Sequence, residues 1–99
     1  MPVSLRGEIE RILDDMQARH YRTTRFKQAL GWPACPNAGL LQACKKLLQS
    51  PDGQTSAYEY KVKYPNGLVL EDVVINNGTA LGFDAADVAL ARRTLGLGP

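Results

Sequence analysis

Ninety-nine residues fit one domain, spanning 1–99, and leave no room for a second core. Ordinary shares of apolar and charged residues exclude a disordered chain, and no apolar run approaches the ~20 residues of a membrane span. The net charge of +2 is unevenly placed, with eight basic against four acidic residues in 1–50 and four against six in 51–99. The basic half suits an anionic partner such as nucleic acid, or reflects ordinary surface variation.

The N-terminal residues lack the apolar core of an export signal and turn acidic within the first ten, so a cytoplasmic setting is expected. Cys35 and Cys44 do not make a disulfide framework, and a single histidine with no CxxC pair leaves a zinc site short of ligands. No cofactor is expected.

Residues 4–20 predict a first helix. Ser4 is its candidate N-cap, and Leu5, Ile9, Ile12, Leu13, Met16 and His20 form one apolar stripe. Thr23 or Thr24 caps a short second helix through Leu30, with Phe26, Ala29 and Leu30 facing inward. Gly31 ends it, since glycine takes the left-handed conformation without penalty, and Trp32-Pro33 and Pro36 bar its continuation. A third helix starts near Pro36–Asn37, with Asn37 as cap, and runs to about Gln49. Leu40, Leu41, Cys44, Leu47 and Leu48 form its apolar face, and Gln42, Lys45, Lys46 and Gln49 share the other. Ser50-Pro51-Asp52-Gly53 reads as a turn that stops it.

The period then changes from helical to alternating. Tyr58, Tyr60, Val62 and Tyr64 alternate with Glu59, Lys61 and Lys63, and Leu68–Ile75 is a second β-rich run. Pro65-Asn66-Gly67 between them fits a hairpin turn with Gly67 at positive φ, which sets Lys61 across from Glu71. Asn77-Gly78 is a second hairpin signal that folds Thr79–Leu81 back as a short third strand. Asp84 caps a last helix to about Leu95, with Asp87 at its third position, Phe83 and Val88 as a hydrophobic staple, and Arg92-Arg93 complementing the dipole. The fold class expected is α+β: three N-terminal helices, a β-hairpin and a C-terminal helix that covers Val73 and Ile75.

The order helix, helix, turn, helix, hairpin over residues 4–76 resembles a winged helix-turn-helix. Thr23-Thr24-Arg25-Phe26-Lys27-Gln28-Ala29-Leu30-Gly31-Trp32 is similar to the family's second helix and the opening of its turn, and Leu40–Leu48 to its recognition helix. The resemblance implies that Tyr58–Ile75 is the wing and that the partner is double-stranded DNA. The segment 32–39 is several residues longer than the family's tight turn.

Recognition helices carry side chains that donate to phosphates or base edges. The candidate DNA-binding residues are Asn37, Gln42, Lys45, Lys46 and Gln49 on the third helix, Arg22, Arg25 and Lys27 at the start of the second, and Lys61 and Lys63 on the wing. Lys45 and Lys46 equally suit a helix C-terminus, and Lys61 equally suits a cross-strand pair. Catalysis is not expected: there is no phosphate loop and no nucleophile–base motif, and Asp14 and Asp15 diverge on a helix. Tyr58, Tyr60 and Tyr64 offer a stacking platform for single strands or, more ordinarily, sheet packing. The function expected is a small DNA-binding regulator of transcription or replication. The alternative is a non-catalytic protein-interaction module of a bacterial, phage or plasmid regulator or inhibitor, and a homodimer joined by the first or last helix suits either.

Overall fold

The computed structural model describes residues 4–32 and 34–97; Pro33, the first three residues and the last two, on which parts of the sequence reading fall, lie outside them. It contains six helices: α1 (Leu5–Ala18), α2 (Thr24–Leu30), α3 (Asn37–Gln49), α4 (Pro51–Lys63), α5 (Leu70–Leu81) and α6 (Ala85–Thr94). There is no strand among the described residues, so the α+β class, the hairpin and the wing are all overturned.

The first three helices and the last lie where the periodicity puts them. Ser4 Oγ accepts from the Gly7 N–H and caps α1. His20 ends that helix from a left-handed φ of 59° but is exposed, so it leaves the apolar stripe. The Tyr21 N–H reaches back to the Met16 carbonyl at 2.8 Å, the long bond of a Schellman closure. Gly31 closes α2 at φ 70° as its position suggests, whereas Ala29 is exposed and Thr23, the N-cap residue, makes no capping bond through its side chain. Pro36 rather than Asn37 is the N-cap residue of α3. Asp84 and Asp87 exchange side-chain-to-backbone bonds at the start of α6, the expected capping box.

The departure lies in α4 and α5. Ser50-Pro51-Asp52 does not stop a helix and release the chain; it starts the next one. Ser50 Oγ accepts from the Gly53 N–H, Pro51 sits at the first position, where its missing donor costs nothing, and Asp52 complements the dipole. The buried side of α4 follows helical spacing through Gly53, Ala57, Tyr60 and Tyr64, which leaves Tyr58 and Val62 outside. The tyrosines therefore form no platform: Tyr60 is 2 % exposed and lies edge-on to Tyr21 at 4.8 Å and tilted against Tyr64 at 5.1 Å. In α5 the Val69 N–H donates to Asp72 at the helix start, and Leu70, Val73, Val74 and Gly78 face inward. Asn77-Gly78 keeps a trace of its turn character. Asn77 departs from helical geometry at φ −136°, ψ 15°, and the helix kinks there instead of reversing.

α3 is the central rod, packed against α1, α2, α4, α5 and α6, and it contributes Leu40, Cys44 and Leu48 to the core. Leu41, expected inside, is half-buried and lies over Gly82. α6 packs along α5, where Gly78 allows Val88 to approach.

Asp15 ties α1 to the second half of the chain. Its carboxylate accepts from the Tyr60 hydroxyl at 2.7 Å, the Leu68 N–H at 2.9 Å and Arg19 Nε at 3.3 Å. Burial alone would raise this carboxyl, but those three donors outweigh it and hold it below its ordinary value. Burial, together with the same bond, pushes the Tyr60 phenol up. Gly67 is not at positive φ, contrary to the hairpin reading. Its role is clearance, since a Cβ there would stand 2.6 Å from Tyr60 Cε1 and 3.0 Å from the Tyr64 carbonyl oxygen. Gly67→Ala is expected to lower the unfolding free energy by roughly 1–3 kcal/mol in a urea titration, by overpacking a filled site.

Glu71, in the first turn of α5, is 3 % exposed and has no ion-pair partner among the described residues. Burial, with help from neighbouring Asp72, raises its carboxyl from 4.5 to about 7. The folded protein thus holds a proton that the unfolded chain releases at lower pH. This contribution to stability is complete below pH 4.5 and is lost as pH rises toward 7. Asp15 and Asp84, both shifted down, act in the opposite sense and only in more acidic solution. Denaturant titrations in steps from mildly acidic to mildly basic buffer should show stability falling by up to about 3 kcal/mol, and Glu71→Gln should flatten that slope.

Candidate nucleic-acid interface

The connection between α2 and α3 is held from a distance at Trp32, Cys35 and Asn37. Arg6, on the first turn of α1, donates through Nε to Asn37 Oδ1 at 3.2 Å and through a terminal nitrogen to the Cys35 carbonyl. Its guanidinium also lies 5.0 Å over the Trp32 ring. One planar cation thus holds the end of α2, the loop and the start of α3 in a fixed relation. Neither Arg6 nor Trp32 stands out in the sequence as part of a site, because the contact spans 31 residues and leaves no local pattern.

The ten candidate residues fall into two groups. Arg22, Arg25, Gln42, Lys46 and Gln49 are exposed on or beside α2 and α3, and Lys27 is half-buried on α2. Gln42, Lys46 and Gln49 continue a single solvent-facing line on α3 that begins at Ala38. The remaining four are differently occupied. Asn37 is engaged by Arg6. Lys45 reaches across to Asp87 of α6 at 3.6 Å. Lys61 donates to Asp72 at 3.1 Å and to the Gly67 carbonyl at 2.9 Å, tying α4 to α5; its expected partner Glu71 is not the one it meets. Lys63 is exposed near the end of α4, with its ammonium 5.4 Å from the Tyr64 ring.

What distinguishes α2 and α3 electrostatically is the absence of any counter-charge within them. From Met16 to Pro51 the chain contains no aspartate or glutamate. Two of its six cations are paired with carboxylates elsewhere, Arg19 with Asp15 and Lys45 with Asp87. Arg22, Arg25, Lys27 and Lys46 form no ion pair among the described residues. In the sequence this appears as a gap in the acids, which the net charge of either half does not reveal.

Other chemistry is sparse. No three histidine, cysteine, aspartate or glutamate side chains among the described residues are grouped to hold a metal. Burial, with the Cys35 thiol and Glu71 in range, pushes the Cys44 thiol up to about 12, so it is an inert core group. A polar cleft of about 460 Å³ between α1 and the α4–α5 turn is lined by Arg11, Asp14, Lys61, Asn66 and Asp72, a mixture of charges that partly cancel. No helix among the described residues is long and apolar enough to cross a membrane. No family model, no curated protein and no solved structure matches the chain.

Arg6→Ala is expected to release the α2–α3 connection. Cys35, half-buried and in contact with that guanidinium, should react faster with a thiol reagent while the Cys44 thiol stays protected in the native protein.

Proposed function

We propose that the chain binds duplex DNA through α2 and α3, as a small helical regulator of transcription or replication acting in the cytoplasm. The observation that carries this reading is the acid-free stretch from Met16 to Pro51 with four cations that no carboxylate among the described residues neutralises. Cations without an internal partner are available to displace the counterions condensed on a phosphate backbone. The exposed line of α3 supplies side chains of the other kind needed. Gln42 and Gln49 offer an amide donor and acceptor together, which suits an adenine edge in the major groove, while Lys46 between them reaches phosphate. α2 contributes Arg22, Arg25 and Lys27 as backbone contacts, and the Arg6 clamp keeps the two helices in register without needing a wing. The function is therefore recognition rather than catalysis.

Fluorescence anisotropy with labelled duplex between roughly 50 and 200 mM salt tests this directly. Wild-type binding should weaken linearly on a log–log plot. Arg25→Ala with Lys46→Ala should weaken binding to every sequence and reduce the slope by about 0.9 for each phosphate that is no longer neutralised. Gln42→Ala should cost roughly 1–3 kcal/mol at a preferred site and little on random duplex. Failure to bind any duplex at the lowest salt would overturn the proposal and favour a protein partner for the same surface.

A further inference from the structure

Three large apolar side chains stand in solvent among the described residues: Tyr58, Val62 and Leu97. The first two are four apart on α4 and are 52 % and 63 % exposed. At about 100° per residue, Pro51 and Thr55 extend the same side toward the helix start, and both are exposed. This strip lies opposite the line of Gly53, Ala57, Tyr60 and Tyr64 that α4 turns toward the core. Along one flank of the strip only run Asp52, Glu59 and Lys63, all exposed, and none has an ion pair among the described residues. The strip is thus bordered by charges of both signs without an ion pair among the described residues, while the helix's other charged side chain, Lys61, is held by Asp72 and the Gly67 carbonyl.

We propose that this face of α4 is the seam of a two-fold homodimer in which α4 of one copy packs antiparallel to α4 of a second copy. A two-fold contact presents the same surface from both sides, so the surface must complement itself. An axis level with Tyr60 sets Tyr58 of each copy opposite Val62 of the other. The charged flanks then lie on the same side of the seam with their directions reversed, which brings Glu59 of each copy within reach of Lys63 of the other. A parallel pair would send the two charged flanks to opposite sides of the seam and pair nothing. The antiparallel arrangement also opposes the two helix dipoles. The seam uses none of the residues of the proposed DNA surface, so dimerisation stands or falls independently of DNA binding.

A seam of one helix, about 20 Å long, is smaller than a standard interface, so the dimer dissociates on dilution within the micromolar to millimolar range. Sedimentation equilibrium of the intact chain over that range is the test. Val62→Glu should raise the dissociation constant at least ~10-fold without shifting the thermal melting of the monomer, because Val62 is already exposed. Glu59→Lys and Lys63→Glu should each weaken the homodimer, and an equimolar mixture of the two variants should recover a heterodimer, since each then supplies the charge the other lacks. A chain that stays monomeric up to about 1 mM overturns the proposal. So does a dimer indifferent to Val62→Glu, or a pair of charge variants with no preference for each other. A monomer whose α4 strip instead captures a different protein overturns it as well.

Discussion

One carboxylate forms the polar link between α1 and the turn that joins α4 to α5, beside the core that α3 shares with both halves. Asp15 leaves α1 at a point where Tyr60 of α4 and the backbone of Leu68, just before α5, converge on it, and Arg19 is its third donor. The bonds to Asp15 span 45 and 53 residues of sequence, so they fix the global arrangement and not a local turn. Much follows from that point. Tyr60 must enter the core with its hydroxyl aimed at α1, which places its ring against Tyr21 and Tyr64 and its edge over Gly67. Arg19, drawn in by Asp15, also covers the Tyr64 ring at 5.1 Å. With the α4–α5 turn pinned in this way, Lys61 is left facing Asp72 and the Gly67 carbonyl and is consumed as a strut. An ionised group in this position is stable because each of its partners is a donor already fixed by other packing.

The N-terminal half and the last helix were legible because their signals agree with one another: caps, periodic apolar residues and glycine stops all mark the same boundaries. From Ser50 to Leu81 the signals conflict. Tyr58, Tyr60, Val62 and Tyr64 have alternation and β-propensity, while Gly53, Ala57, Tyr60 and Tyr64 have a helical period over the same residues. What decides between them is tertiary: a strand would turn Tyr58 and Tyr60 to the same side, whereas only Tyr60 has a buried partner for its hydroxyl. The run Val69 to Ile75 is equally ambiguous by composition, and the local evidence for a helix is one residue, Asp72, placed to accept from the Val69 N–H. Asn77-Gly78 shows the conflict in miniature, with enough turn character to kink α5 and not enough to end it.

The candidate surface was legible by residue type and not by availability. Lys45 and Lys46 are adjacent and alike in sequence, yet Asp87 from α6 reaches only the first. Lys61 and Lys63 are two apart, yet the first is a strut and the second is free of carboxylates among the described residues. Such differences depend on acids brought from elsewhere in the fold, and α6 and the α4–α5 turn are the parts whose placement the chain order does not specify. The Arg6 clamp is the reverse case, an exposed-looking charge in the first helix that turns out to govern the geometry of α2 and α3.

Ser50 is at once the residue after α3 and the cap of α4, with no loop between the two helices. The corner is also closed on its inner side, since a Cβ on Gly53 would lie 2.8 Å from the Leu47 carbonyl oxygen. Two rods that share one residue behave as a bent lever. A torque applied to α4 is transmitted to α3 without slack, so whatever grips the outer helix also steers the central one. The α2–α3 connection has several residues, whereas the α3–α4 corner has no length to vary. An inserted residue there would either unwind the first turn of α4 or rotate its whole face by about 100° relative to α3. For grafting tags, permuting the termini or fusing a reporter inside the domain, this corner is a place where the mechanical link itself would be cut.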